Sequence, residues 1–444
     1  MSFPAWLLLH HALTILIGVL TFAFAASVLS QRRPTGSAAA WLLLIVLLPY
    51  VGIPLYLSFG GRKVRSRARE KKALPLRLAG APAAAAPELA GVIGWFGDGI
   101  AAYHAFLEEI TRAKRSIRIQ TFLIGDDATG RSIVDALATR AADGVEVHLL
   151  LDAFLAAGAP RAQLQKLEAR GGRLARFMPL VHVPFRGRAN LRNHRKIAVF
   201  DGERAFVGGM NLGDEYMGPQ ANPSRFRDLS LLLQGGTVAS LDAVFRADWE
   251  FARGESLAAV ADDATTSPGI QVVPSGPDCA TDPIYDAMLT AAFRAERRFW
   301  VATPYFVPDD GLARALEIAA RRGVDVRVIV PRRSNHWLAD LAAAPLLRDL
   351  TAAGGLVQRY VPGMLHAKAV LVDDSFAAVG SANFDMRSLF LDYEISILLS
   401  RPADIARLAG WFEETLHSTL PGPPVSGIFR RQAENVSRLL APLI

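Results

Sequence analysis

The chain has 444 residues, 51% of them hydrophobic, and its 49 Lys and Arg against 42 Asp and Glu give a net charge of +7. This excludes a disordered chain and leaves room for two or three domains plus membrane segments. A single cysteine, Cys279, excludes an internal disulfide and any zinc site built on several thiolates.

Residues 1–60 read as a transmembrane helical hairpin. From Trp6 to Ser30 the sequence is apolar apart from His10, His11 and a few hydroxyls, and Ala38 to Phe59 is a second such run. Each is long enough to cross roughly 30 Å of hydrocarbon at 1.5 Å per residue. Gln31 to Ser37 supplies the turn between them, and Pro49 and Pro54 are expected to kink the second helix. Residues 61–91 are a basic juxtamembrane segment followed by an Ala/Pro linker, with Arg62, Lys63, Arg65, Arg67, Arg69, Lys71 and Lys72 crowded together. That cluster explains the basic charge without nucleic acid, and against Arg32 and Arg33 in the connecting loop it places the downstream region in the cytoplasm.

Two lobes follow, residues 92–255 and 268–425, separated by a polar break around Asp262, Asp263 and Pro268. In lobe 1 a strand pattern at 116–124 precedes Asp126, a helix to Ala141 and a further strand from Asp143. In lobe 2 the pattern at 299–303 precedes Asp309, a helix to Arg322 and a strand to Val330. Strands rich in Val, Ile and Leu alternating with helices imply an α/β architecture, and the repeated order implies an internal duplication. Residues 426–444 form an amphipathic C-terminal tail, suited either to a membrane interface or to ordinary packing.

Each lobe carries one copy of a motif. The first is His194-x-Lys196-x4-Asp201-x6-Gly208-x2-Asn211 and the second is His366-x-Lys368-x4-Asp373-x6-Gly380-x2-Asn383. One such match is expected by chance on the order of once in ten thousand sequences of this length, so two are not accidental. Asp201-Gly202 and Asp373-Asp374 lie between hydrophobic runs and read as hairpin turns. Residues two apart on a strand share a face, which puts His194 beside Lys196 and His366 beside Lys368. An imidazole next to an ammonium suits phosphate chemistry. The ring attacks phosphorus or protonates the leaving oxygen, the cation offsets charge on the non-bridging oxygens, and Asn211 and Asn383 add amide donors. Asp201 and Asp373 belong to the catalytic motif while also serving the turns. A downstream carboxylate is expected to orient each ring, Asp228 after the first motif and Glu394 after the second. His336, between Asn335 and Trp337, is a candidate for the mouth of the site. No Walker loop, dinucleotide fingerprint or metal-ligand spacing is present.

The paired motif resembles that of the phospholipase D superfamily, and the bacterial cardiolipin synthases in particular. The resemblance rests on Asn190 to Ile197, Val207 to Leu212, Thr303 to Asp309, Leu365 to Lys368 and Gly380 to Ser388, with Pro274 to Pro277, the C-terminal end and the two N-terminal runs besides. It implies duplicated phospholipase D-like lobes packed about a pseudo-two-fold axis. It also implies transfer of a phosphatidyl group between two phosphatidylglycerol molecules, no cofactor or metal, and a multi-pass protein of the bacterial inner membrane. His194 as nucleophile and His366 as general acid are likewise implied; the residues alone do not order the two. Phe226 stands where Trp is common and Asp392 where Asn is usual, departures that bear on acceptor preference. A hydrolytic phospholipase D would use the same residues and pass the group to water. A nuclease of the superfamily would need a basic, aromatic groove instead of a basic cluster near a membrane run. A scaffold that had lost catalysis would be expected to lack a motif residue.

Overall fold

The computed structural model describes residues 3–30, 35–60, 91–178, 190–260, 267–425 and 427–439; the basic cluster and the linker expected at 61–90 lie outside them. The N-terminal helices fall in one compact unit and the two lobes in another.

In the N-terminal unit, α1 (Phe3–Leu29) contains the one described helix long and apolar enough to cross a membrane, His10–Leu29. The second apolar run, expected as one kinked span, is instead two helices, α2 (Thr35–Leu47) and α3 (Pro49–Phe59). Leu48 between them is non-helical, with φ −131° and ψ 62°. Proline has no N–H to give and its ring disfavours helical geometry in the residue before it, so the break falls where the sequence reaches Pro49. Neither piece alone has spanning length. Tyr56 packs edge-on against Phe24 and Trp41 at 5.7 and 5.3 Å, joining the three helices.

Lobe 1 is a seven-stranded sheet. Its strands are β1 (Gly91–Phe96), β2 (Ser116–Thr121), β3 (Glu146–Asp152), β4 (Arg173–Phe177), β5 (Ile197–Phe200), β6 (Arg204–Gly208) and β7 (Ser230–Gln234), in the order β1-β7-β6-β5-β2-β3-β4. Lobe 2 comprises β8 (Ile270–Ser275), β9 (Arg298–Ala302), β10 (Phe306–Val307), β11 (Asp325–Pro331), β12 (Leu356–Tyr360), β13 (Ala369–Val372), β14 (Phe376–Gly380), β15 (Phe384–Asp385), β16 (Glu394–Leu399) and β17 (Thr419–Pro421). Its main sheet runs β8-β16-β14-β13-β9-β11-β12-β17, the same order with one strand added at the edge. Within each sheet three strands are parallel, β2-β3-β4 and β9-β11-β12, and the helices that the parallel crossovers require cover one face.

The strands alternate strictly between two cores. On β5, Ala198 and Phe200 join the helices of lobe 1, whereas Ile197 and Val199 enter a core shared by both lobes. On β14, Phe376 and Ala378 face the lobe 2 helices while Ala377 and Val379 enter that same shared core. Side chains of both sheets therefore close on one another, and this is what brings the two motifs together.

Candidate active site

Each motif straddles a hairpin whose two ends do different work. At the turn, Asp201 and Asp373 adopt left-handed backbone, φ 54° and 49°. The Asp201 carboxylate accepts from the backbone N–H groups of Lys114, Arg115 and Ser116 at 2.7–2.9 Å, and Asp373 does the same for Glu296, Arg297 and Arg298 at 2.8–3.1 Å. They tie the hairpin to the start of the neighbouring strand. Six residues lie between His194 and Asp201, a reach of up to about 23 Å at roughly 3.3 Å per residue. The aspartates expected in the catalytic set thus lie at the far end of the hairpin, outside the cleft that holds the histidines.

At the other end the lobes are cross-linked. His194 N–H donates to Tyr393 O at 2.9 Å and Tyr393 N–H to Arg192 O at 2.8 Å. In the second copy, His366 N–H donates to Arg227 O at 2.7 Å and Arg227 N–H to Met364 O at 2.8 Å. The residue after each of these partners is an orienting carboxylate, so the assignment by sequence order is reversed: His194 Nδ1 meets Glu394 Oε1 at 2.9 Å and His366 Nδ1 meets Asp228 Oδ2 at 2.6 Å. Asp228 and Glu394 do serve the two rings, but each crosses to the other lobe's histidine. Both carboxylates are fully buried. Because a carboxylate accepts, Glu394 fixes the neutral His194 ring with its proton on Nδ1 and leaves Nε2 for the cleft, whereas His366 Nδ1 lies 2.6 Å from both Asp228 and Lys368 Nζ.

The glycines of the motif make room for this exchange. A Cβ on Gly208 would lie 2.5 Å from Ser230 Cα, and on Gly380 2.2 Å from Ile395 O, so the hairpin touches β7 or β16 where only hydrogen fits. Next to them the copies differ in a compensating way. Gly209 leaves space where a Cβ would stand 2.1 Å from Asp228 Oδ1, while its counterpart Ser381 donates its hydroxyl to the longer Glu394.

Burial and mutual repulsion set the charges. Burial and then the ammoniums of Lys196 and Lys368 hold His194 well below its usual pKa. Burial and Lys368 push His366 down to about 3, against Asp228, which favours the charged ring. Burial lowers both lysines, Lys368 to about 8, and raises Glu394 to about 7 with Lys196 opposing. Lys196 donates to His194 O at 2.7 Å and Lys368 Nζ lies 3.1 Å from His366 Nε2. The resting site is therefore a pair of uncharged imidazoles beside two lysines whose charged form burial disfavours and a bound anion would restore.

Both rings, Asn211 and Asn383 line a cleft of about 360 Å³ between the lobes. His336 lies on its wall, as its sequence position suggested, together with Tyr305, Tyr216 and Phe122. The last two meet His366 and His194 edge-on at 5.1 and 4.9 Å. Sequence reasoning assigned these aromatics no role, although Tyr305 lies within the Thr303 to Asp309 stretch that carries the resemblance. It also missed Arg195, which has alanine as its counterpart in the second copy. Fully buried, Arg195 donates to Asp248 at 2.6 Å, to Ser275 O and, through Nε, to the carbonyl of Glu394, fixing that residue's backbone. Asp385, Arg387 and Asp392 complete the lobe 2 wall, Arg387 Nε donating to Asp392 at 3.1 Å.

Two His-x-Lys segments on duplicated α/β lobes, each ring held by the opposite lobe's carboxylate over one cleft, define an enzyme site of the phospholipase D type. Residues 106–249 and 288–416 match the family model described as "Cardiolipin synthase, PLD-like domain", and residues 19–61 match the phospholipase D-nuclease N-terminal model. Cardiolipin synthase 2 of Bacillus cereus is 31% identical, with 96% of this chain and 90% of that protein covered. Cardiolipin synthase of Geobacillus kaustophilus is 33% identical, covering 95% and 92%. The crystal structure of a phosphatidylserine synthase from Haemophilus influenzae shares the fold, with a TM-score of 0.61 at 15% identity over 80% of this chain and 95% of that one. The chain belongs to the cardiolipin synthase family with phospholipase D-like domains.

Proposed function

We propose that the cleft transfers a phosphatidyl group from one phosphatidylglycerol to a hydroxyl of a second, releasing glycerol and forming cardiolipin. The enzyme is a phosphatidyltransferase, in keeping with relatives that match it over almost their whole length. The observation that carries the residue roles is the crossed pair of histidine–carboxylate contacts, which supports two lobes related by a pseudo-two-fold axis and acting on a single phosphodiester. His194 Nε2 attacks phosphorus, the bond to the departing glycerol oxygen breaks, and His366 gives that oxygen its proton. A hydroxyl of the second phosphatidylglycerol then returns a proton to His366 and attacks phosphorus, and the P–N bond to His194 breaks. Lys196, Lys368, Asn211 and Asn383 bind the non-bridging oxygens, whose charge joins Asp228 in favouring a protonated His366. The ammoniums supply the charge stabilisation that this reading assigns to no metal.

The apolar N-terminal helix supports a membrane anchor. In this reading both N-terminal apolar runs sit in the bacterial inner membrane and the two-lobe body in the cytoplasm, on the side of the seven cations between Arg62 and Lys72. The test is to incubate the purified protein with phosphatidylglycerol vesicles and excess EDTA and to identify the products by mass spectrometry. Cardiolipin with an equal amount of glycerol is expected. Phosphatidic acid alone would make water the acceptor and the protein a hydrolase.

A further inference from the structure

Among the described residues of the two-lobe body, the five most exposed large apolar side chains are Phe429 and Val425 at 92%, Ile428 at 80%, Trp337 at 68% and Phe154 at 54%. Their positions are related. Phe154 directly precedes Leu155, a cleft residue, and Trp337 directly follows His336, another. Phe154 lies in the connection that follows β3 and Trp337 opens the helix that follows the equivalent strand β11, so each lobe sets one exposed aromatic next to a residue of the cleft wall. Two of the remaining three, Ile428 and Phe429, are joined to this place by the C-terminal helix. That helix, Ile428–Leu439, packs along the helix Trp337–Ala352. Its fully buried Glu434 accepts from Arg348 at 2.7 Å and from its own Arg430 at 3.3 Å. The charge of Arg430 also acts on Asp340, in the first turn of the partner helix. The end that carries Ile428 and Phe429 thus lies beside the end that carries Trp337 and His336.

Cations accompany these apolar groups. Arg332, Arg333 and Arg431 are exposed and make no ion pair among the described residues. An indole and phenyl rings standing in water beside unpaired guanidiniums match the headgroup level of a bilayer, where the rings enter the acyl boundary and the cations meet phosphates. A protein seated on this rim would stand across the opening through which both lipids must pass, whereas a bilayer delivers them there.

We propose that the rim formed by Phe154, Trp337, Ile428 and Phe429, with Arg332, Arg333 and Arg431, docks the two-lobe body onto an anionic phospholipid bilayer with the cleft facing the headgroups. The proposal builds on the lipid-substrate reading above. It is tested by comparing two substrates on the full-length Phe154→Ala/Trp337→Ala/Phe429→Ala variant: phosphatidylglycerol in vesicles and a short-chain phosphatidylglycerol dissolved below its micelle concentration. Turnover on vesicles is expected to fall about ten-fold or more, with turnover of the dissolved substrate within about two-fold of the unaltered protein. An unchanged rate on vesicles overturns the proposal, and so does an equal fall on both substrates, which would mean that the side chains serve the site or the fold. A second measurement needs no turnover and so separates this proposal from the functional reading. A cysteine at position 429 in a Cys279→Ser chain carries a polarity-sensitive dye in phosphatidylglycerol proteoliposomes. Quenching by lipids brominated on the acyl chain is expected, and its absence overturns the docking even if cardiolipin is made.

Discussion

Lys368 is buried among acids and an imidazole, and burial outweighs Asp228, Glu394 and Asp385 to bring its ammonium down to about 8. The sign is fixed by the chemistry: the amine is charged below that pH and neutral above it, and only the charged form offsets phosphate oxygens. The kcat/KM profile, which reports the free enzyme, is therefore expected to fall as pH rises through about 8. The bound phosphodiester anion favours the ammonium, so the corresponding limb of kcat lies at higher pH. Lys368→Arg keeps its charge and its residual activity should lose the limb; a wild-type kcat/KM that stays flat well past that pH would remove the ammonium from the mechanism. Asp392 makes a separate statement, about stability. Burial raises its carboxyl from 3.8 to about 7, against Arg387. Between those values the unfolded chain is ionised and the folded one holds the proton, so this group's contribution to stability declines as pH rises through that window. Asp392→Asn removes the titration, and its melting temperature relative to the unaltered protein should climb from pH 4 to pH 7. A constant difference would show that the carboxyl does not titrate differently on folding.

At the scale of elements, the motif hairpin separates chemistry from scaffolding. Asp201 holds three backbone donors that start β2 and sits in left-handed geometry that alanine tolerates poorly. Asp201→Ala is expected to lose about 2–4 kcal/mol of stability, since three charge-assisted bonds to backbone donors are lost together. The turnover of the folded fraction should be unchanged, as read from the urea midpoint and kcat of the same preparation; a kcat loss at unaltered stability would return the aspartate to the reaction. The hairpins themselves were legible, because Asp-Gly or Asp-Asp between apolar runs is a local signal. The repeated strand–helix–strand order was legible for the same reason. The carboxylate exchange was not: Glu394 reaches a histidine 200 residues away and Asp228 one 138 away, and no periodicity in either copy states which lobe's loop passes beneath the other's ring. Pro49 was visible too, yet a proline permits either a kink or an ending, and tertiary context decides between them.

At the scale of the whole molecule, the site exists only where two lobes close. Apolar side chains of both sheets share one core, with Val199 and Leu231 of lobe 1 packed in the same cluster as Leu371 and Ile397 of lobe 2. The cleft is completed by backbone bridges at Asn193–Tyr393 and Arg227–Leu365. All of these contacts lie within one compact unit of a single chain. In the proposed reaction each chain then brings its own His194 and its own His366 to the same phosphodiester. His194→Ala keeps the second ring and His366→Ala the first, and neither completes a turnover alone. If the lobes close within the chain, an equimolar mixture of the two variants contains no cleft with both rings and stays inactive, even after joint unfolding and dilution into bilayers. If lobes were exchanged between chains, the same mixture would rebuild clefts holding both histidines and recover turnover measured as cardiolipin formed. The shared core predicts the first result, because lobe exchange between folded chains would uncover the apolar side chains that the two sheets share, and on refolding the covalently joined lobes of one chain meet first.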